Sequence, residues 1–188
     1  MSKKSLLVID CQNDFITGSL ACKNSENAIL HIIDFISKNP DLNVFYSCDS
    51  HEMTNKSFQK NGGMWPIHCV EGTEGALLSE KFTLGIKDKN KSPQNSEIIF
   101  RKGMNDDVEE YSAYNALNIK NKRLHEVLDK NIIICGIASE YCVKETILDL
   151  VKNGFNVTIL ANGLGYVDET EHINTLNEFK EKGMSIIF

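Results

Sequence analysis

Six short apolar runs recur along the chain, at Ser5–Ile9, Asn43–Ser47, Glu97–Phe100, Asn131–Cys135, Asn156–Leu160 and Ser185–Phe188. Each is four or five residues long and rich in Val, Ile or Phe, the pattern of strands buried on both faces. Between them apolar residues return at helical steps. Ala28, Ile29, Ile32, Ile33 and Ile36 make one such stripe, and Val143, Ile147, Leu150 and Val151 another, with Gly154 placed to end it. Asp168 and Glu171 form a D-x-x-E start signal, a looser relative of the capping box, ahead of Ile173, Leu176 and Phe179. This alternation predicts an α/β fold: a three-layer α/β/α arrangement around a mostly parallel sheet of about six strands. The rhythm breaks over residues 52–95, a stretch without sustained period that predicts an irregular, site-building segment inside one domain spanning residues 1–188.

Composition narrows the class. Apolar residues make up 41 % of the 188 and charged residues 24 %, an ordinary globular balance. A net charge of −6 argues against a general nucleic-acid binder, which needs a basic surface to neutralise phosphates. No apolar run approaches the length of a signal core or membrane span, so the expectation is a cytoplasmic protein without membrane contact. The six cysteines show no C-x-x-C pair, which leaves zinc ribbons and thioredoxin-type chemistry unsupported. In a reducing compartment most would be small packed thiols. The sequence is compatible with a homo-oligomer and silent on its size.

In open α/β sheets ligands bind beyond the carboxyl ends of the strands, so the residues following each apolar run carry the chemistry. Asp10 follows the first run, Asp49 and His51 the second, Arg101 and Lys102 the third, and a small-residue turn leads from the fourth to Cys142. A carboxylate beside a thiol can accept its proton and return it to a leaving amine. A nearby buried cation favours the ionised forms of both. Arg101 and Lys102 point opposite ways in a strand, and periodicity does not choose between them. If a helix starts at Ser139 or Glu140, Cys142 lies in its first turn, where unpaired backbone N–H groups can hold an oxyanion. In "CDSHEM" the D-x-H spacing sends Asp49 and His51 to one side of an extended chain, and His68 in "WPIHC" can join them. Two imidazoles and a carboxylate suit zinc, manganese or iron(II). Cys69 reads as packing.

The segments "LLVIDCQNDFITGSL", "YSCDSHEMTNKSF", "WPIHCVEGTEGALL", "FRKGMNDDVEEYSAY" and "IICGIASEYCVKETILDLVKNGFNVTIL" follow one another from Leu6 to Leu160. With these elements the sequence resembles the nicotinamidase/pyrazinamidase branch of the isochorismatase-like cysteine hydrolases. The resemblance implies a catalytic triad of Asp10, Lys102 and Cys142, choosing Lys102 over Arg101, and metal ligands Asp49, His51 and His68. It implies a cis peptide bond at Ile137–Ala138, with the amides of Ala138 and Cys142 as the oxyanion hole, and Phe15, Trp65 and Tyr111 as aromatic walls for a pyridine ring. The implied reaction is nicotinamide to nicotinate and ammonia through a Cys142 thioester, with a divalent metal, zinc above manganese or iron, anchoring the pyridine nitrogen and a place in NAD salvage.

Two departures stand out. Ser57 occupies a position where some relatives carry another metal-associated histidine, and Ser139-Glu140 replaces the commoner Thr-Asp before Tyr-Cys-Val. Residues 88–96 read as a local insertion. The competing readings are a related hydrolase acting on another small amide or ureido substrate, and a noncatalytic metal-binding module.

Overall fold

The computed structural model describes residues 3–188. Six strands, β1 (Lys4–Ile9), β2 (Asn43–Asp49), β3 (Ile99–Lys102), β4 (Asn131–Gly136), β5 (Asn156–Leu164) and β6 (Ser185–Ile187), form one sheet in the order β3-β2-β1-β4-β5-β6, with every pairing parallel. Six α-helical segments accompany them: α1 (Asn13–Ile16), α2 (Ser25–Lys38), α3 (Glu80–Gly85), α4 (Leu124–Val127), α5 (Cys142–Lys152) and α6 (Glu169–Glu181). The order reverses between β1 and β4, the switch point at which the loops on either side diverge and leave a crevice.

Strand alternation divides the core into two layers. Leu6 and Val8 of β1 face one side, where they meet Ile29, Ile32 and Ile36 of α2 and Phe82 of α3. Leu7 and Ile9 face the other, packed with Leu124 of α4, Val143, Ile147 and Leu150 of α5, and Phe179 of α6. Each fully buried isoleucine contributes roughly 2 kcal/mol of hydrophobic stabilisation. Among the described residues no helix is long and apolar enough to cross a membrane.

The apolar runs anticipate each strand, but β5 continues four residues past its run to Leu164, and β3 starts late. The third run begins at Glu97, yet Ser96–Ile98 forms a 3₁₀ turn and β3 starts at Ile99. Asn95 explains the delay: its side-chain oxygen accepts the Glu97 N–H at 3.1 Å and caps the turn. Helix α5 starts at Cys142 itself rather than at Ser139 or Glu140, and Gly154 follows its end with φ +78°. Two stripe positions face solvent, Val151 at 41 % and Ile173 at 51 % exposure. At the α6 N-terminus Asp168 accepts the N–H groups of Thr170 and Glu171 at 2.9 and 3.0 Å, while its own N–H goes to Glu140 instead of returning to Glu171, so only half a capping box forms. Residues 52–95 contain one short helix, α3, and two 3₁₀ turns, the remainder being turns and bridges. Within residues 88–96, the Lys91 carbonyl accepts the Tyr46 hydroxyl at 2.8 Å and Ser92 is fully buried, so this segment is tied to β2.

Candidate active site

Four strands end at one crevice. Asp10 directly follows β1 with φ +46°, left-handed backbone that a non-glycine residue adopts only at a cost. Its Oδ1 accepts the Ser47 hydroxyl at 2.6 Å, while Oδ2 lies 2.9 Å from Lys102 Nζ and accepts no hydrogen bond. Lys102, the last residue of β3, also reaches Asp49 Oδ1 at 2.5 Å and Cys142 Sγ at 3.4 Å. Ligand atoms of Asp10, Asp49 and Cys142 all lie within 4.8 Å of one another. The structure separates the two candidate cations by burial: Lys102 is enclosed, and Arg101 points to solvent.

The charges follow from this enclosure. Burial raises the Asp10 carboxyl, with the Lys102 ammonium opposing the shift. Burial would raise Asp49 as well, but Lys102 and His51 outweigh it and hold Asp49 well below the usual carboxylate range. Lys102 would be lowered by burial, yet two flanking carboxylates keep it firmly protonated. Burial pushes the Cys142 thiol well up, against the pull of Lys102. The cluster is a thiol and a carboxyl group held around a single ammonium.

Asp49 belongs to two groups at once. Its Oδ2 lies 3.7 Å from His51 Nε2, and ligand atoms of Asp49, His51 and His68 all fall within 4.8 Å of one another, every one of these residues buried. His51 Nδ1 lies 2.8 Å from the Gly103 carbonyl and His68 Nδ1 2.8 Å from the Pro66 carbonyl. A carbonyl can only accept, so each Nδ1 carries the hydrogen and each Nε2 keeps its lone pair for a cation. The donor set and its outer hydrogen bonds therefore fit a divalent metal. Phe58 stands edge-on to both imidazoles at 5.6 and 5.4 Å and fixes their planes.

Several motif residues prove to be fasteners for these groups. The Gln12 side-chain amide donates to the carbonyls of Asp49 and Ala76 at 2.8 Å, and its oxygen accepts the Asp49 N–H at 2.8 Å. This clamp joins the ends of β1 and β2. Asp14 accepts the N–H of Cys69 at 2.7 Å and so anchors the residue next to His68. Gly103, at φ +71°, lets the chain pass under His51, since a Cβ there would lie 2.5 Å from the imidazole Cε1. Asn55 is buried with its amide 3.2 Å from His51 Nδ1, and it accepts the Ser57 N–H at 2.9 Å. Periodicity does not reveal any of these side-chain bonds.

The turn between β4 and α5 carries a cis peptide bond at Ile137–Ala138. The carbonyl of Ala138 accepts the N–H of Tyr141 and of Val143, both at 3.1 Å, and the Ser139 N–H goes to Gly165. Among the described residues the N–H groups of Ala138 and Cys142 have no acceptor. Both residues line the same cleft. N–H groups without acceptors beside a thiol are the kind of donor that a developing oxyanion needs.

Phe15, Trp65 and Tyr111 also line that cleft, as do Asp49, His51 and His68. Trp65 and Tyr111 meet Tyr141 at ring separations of 5.1 and 5.8 Å, so Tyr141 completes an aromatic wall that the sequence reading omits. It precedes the cysteine in "EYCV", and an aromatic residue there at the head of α5 is the signal that could have found it. Ser57 lies on the wall with its hydroxyl oxygen buried and unpartnered.

The family profile described as the Isochorismatase domain matches residues 4–187. The chain belongs to the isochorismatase domain family. Within that family its sequence is 29 % identical to the nicotinamidase of Escherichia coli (strain K12), over 87 % of this chain and 83 % of the relative. It is 29 % identical to the nicotinamidase of Saccharomyces cerevisiae, over 93 % of this chain and 94 % of the relative. In three dimensions this isochorismatase-family chain is similar to the pyrazinamidase of Pyrococcus horikoshii in complex with zinc, with a TM-score of 0.83, 29 % identity and 98 % of each chain covered. It is also similar to PnC1 from L. infantum in complex with nicotinate, with a TM-score of 0.82, 28 % identity, and 99 % and 92 % of the two chains covered.

Proposed function

We propose that this chain is a nicotinamidase, hydrolysing nicotinamide to nicotinate and ammonia. The observation that carries the reading is the double role of Asp49. One of its oxygens is bonded to the Lys102 that contacts Cys142, and the other faces His51 at the candidate metal site. Nucleophile and ring anchor are thereby held at a fixed separation within one cleft. The names of the related nicotinamidases and the nicotinate complex of a structural relative support the same substrate.

In the proposed reaction Asp10 Oδ2 accepts the Cys142 thiol proton as the sulfur attacks the carboxamide carbon. The N–H groups of Ala138 and Cys142 receive the oxyanion, and loss of one such donor would cost roughly 3 kcal/mol of barrier. The C–N bond then breaks, Asp10 returns the proton to the departing amine, and a thioester remains on Cys142. Asp10 next takes one proton from water as the water oxygen attacks, and returns it to sulfur as the acid leaves and loses its remaining proton to solvent as nicotinate. Lys102 stays protonated and keeps both carboxylates oriented. Phe15, Trp65, Tyr111 and Tyr141 exclude water from the faces of the ring. Asp49, His51 and His68 would hold the divalent metal, zinc by the borderline character of the donors and the zinc complex of the Pyrococcus relative, which supplies a Lewis-acidic anchor for the pyridine nitrogen.

A panel of small amides assayed for ammonia release, with and without chelator, tests the assignment. Nicotinamide should be turned over well, and benzamide, which lacks the ring nitrogen, at least about tenfold more slowly in kcat/KM. Chelation should abolish the preference, and added zinc should restore it. Ammonia release only from ureido or carbamoyl compounds would instead identify a related hydrolase.

A further inference from the structure

Hydrolysis of a neutral carboxamide leaves an anion in the cavity that bound it. The walls of this cavity are unequal in charge. Asp49, Glu109 and Glu110 line it, and among the described residues no lysine or arginine does. Asp49 is offset by Lys102 from behind, at 2.5 Å. Glu110 turns its carboxylate to the Gly103 N–H at 2.9 Å. Glu109 is different. Its Oε1 accepts the Tyr111 hydroxyl at 2.5 Å and the Trp65 indole N–H at 2.7 Å, two neutral donors that fix the group without cancelling its charge.

The loop that carries Glu109 is itself pinned. The Lys56 N–H donates to the Asp106 carbonyl at 3.0 Å, Thr54 Oγ1 donates to Asp106 Oδ2 at 2.5 Å, and Lys56 Nζ pairs with Asp107 at 2.5 Å. A glutamate tethered by two members of the aromatic wall therefore presents a fixed negative charge at the solvent-exposed side of the cleft.

We propose that Glu109 is a specificity-determining residue that favours a neutral pyridine carboxamide over its anionic carboxylate product and promotes departure of that product. The inference rests on the nicotinamidase reading above. Asp49 and its neighbours act on ring position, whereas Glu109 acts on ligand charge through space. Its effect should therefore fall as salt screens it, because the group is exposed. The same field would disfavour any amide substrate that itself bears a carboxylate.

The test compares metal-loaded wild type with Glu109→Gln, which keeps an acceptor oxygen for Trp65 and Tyr111 while removing the charge. Nicotinamide KM and the inhibition constant of nicotinate are measured at low and high salt. The ratio KM/Ki should rise about fivefold in Glu109→Gln, about 1 kcal/mol of changed discrimination, and the gap between the proteins should narrow at high salt. Glu109→Lys should raise the ratio further. Turnover of nicotinamide with equal ratios in all three proteins overturns the role of Glu109 and leaves the enzymatic assignment standing. Absence of nicotinamide turnover in metal-loaded wild type overturns that assignment and this inference with it.

Discussion

Lys102→Met should lower the free energy of unfolding by about 4 kcal/mol, and should slow amide hydrolysis by at least about a hundredfold. Methionine matches the length of the lysine stem, so packing is largely kept and the loss is electrostatic. The Lys102 and Asp10 side chains are fully enclosed, and that of Asp49 is 6 % exposed. Without the ammonium two neighbouring and almost wholly buried carboxyl groups lose their shared cation, and at least one must take up a proton to remain there. Urea unfolding of the two proteins measures the change. A double variant, Lys102→Met with Asp10→Asn, should recover part of the lost stability, since only one carboxylate then lacks its cation. A loss below about 1 kcal/mol in the single variant would mean that the cluster is better solvated than its burial implies.

The parallel sheet is legible in the sequence because strands covered on both faces must be nearly continuous in apolar residues, as Leu6–Ile9 and Ile132–Cys135 are. The placement of the site is legible for a related reason. Polar residues at or just beyond the carboxyl ends of buried strands fall at one edge of the sheet, where Asp10, Asp49 and Lys102 lie, and the turn after β4 brings Cys142 to it. Strand alternation separates Arg101 from Lys102 but does not say which faces inward; resemblance supplies the choice, and the burial of Lys102 agrees with it. The start of β3 is hidden because a side-chain cap from Asn95 competes with strand extension at Glu97 and Ile98, and Ile98 is as strand-like as the Ile99 that follows it. The clamping of Asp49 and Ala76 by Gln12 and the tethering of Glu109 by Trp65 depend on contacts between residues 37 to 64 positions apart, which no local periodicity records. Val151 and Ile173 show the converse limit. An apolar residue on the edge of a helical stripe is buried only if the neighbouring layer extends over it.

The central claim is that the sulfur of Cys142 forms a bond to the substrate, assisted by Asp10 and Lys102 and aimed by residues that serve a separate metal site. Cys142→Ala separates these functions. The thiol contributes one atom to the cluster and none to the Asp49–His51–His68 set, so the variant should fold and bind zinc with the stoichiometry of wild type. Elemental analysis checks the metal directly. Alanine at the head of α5 is a good helix former, which limits the structural effect of the change. Ammonia release from nicotinamide, measured with both proteins fully loaded with zinc, is then the decisive comparison. Cys142→Ala should be slower by more than about ten-thousandfold, the scale expected when a nucleophile is removed and only binding and oxyanion donors remain. Turnover within tenfold of wild type by the zinc-loaded variant would contradict the account, because the bond to carbon would then have to be made by another group.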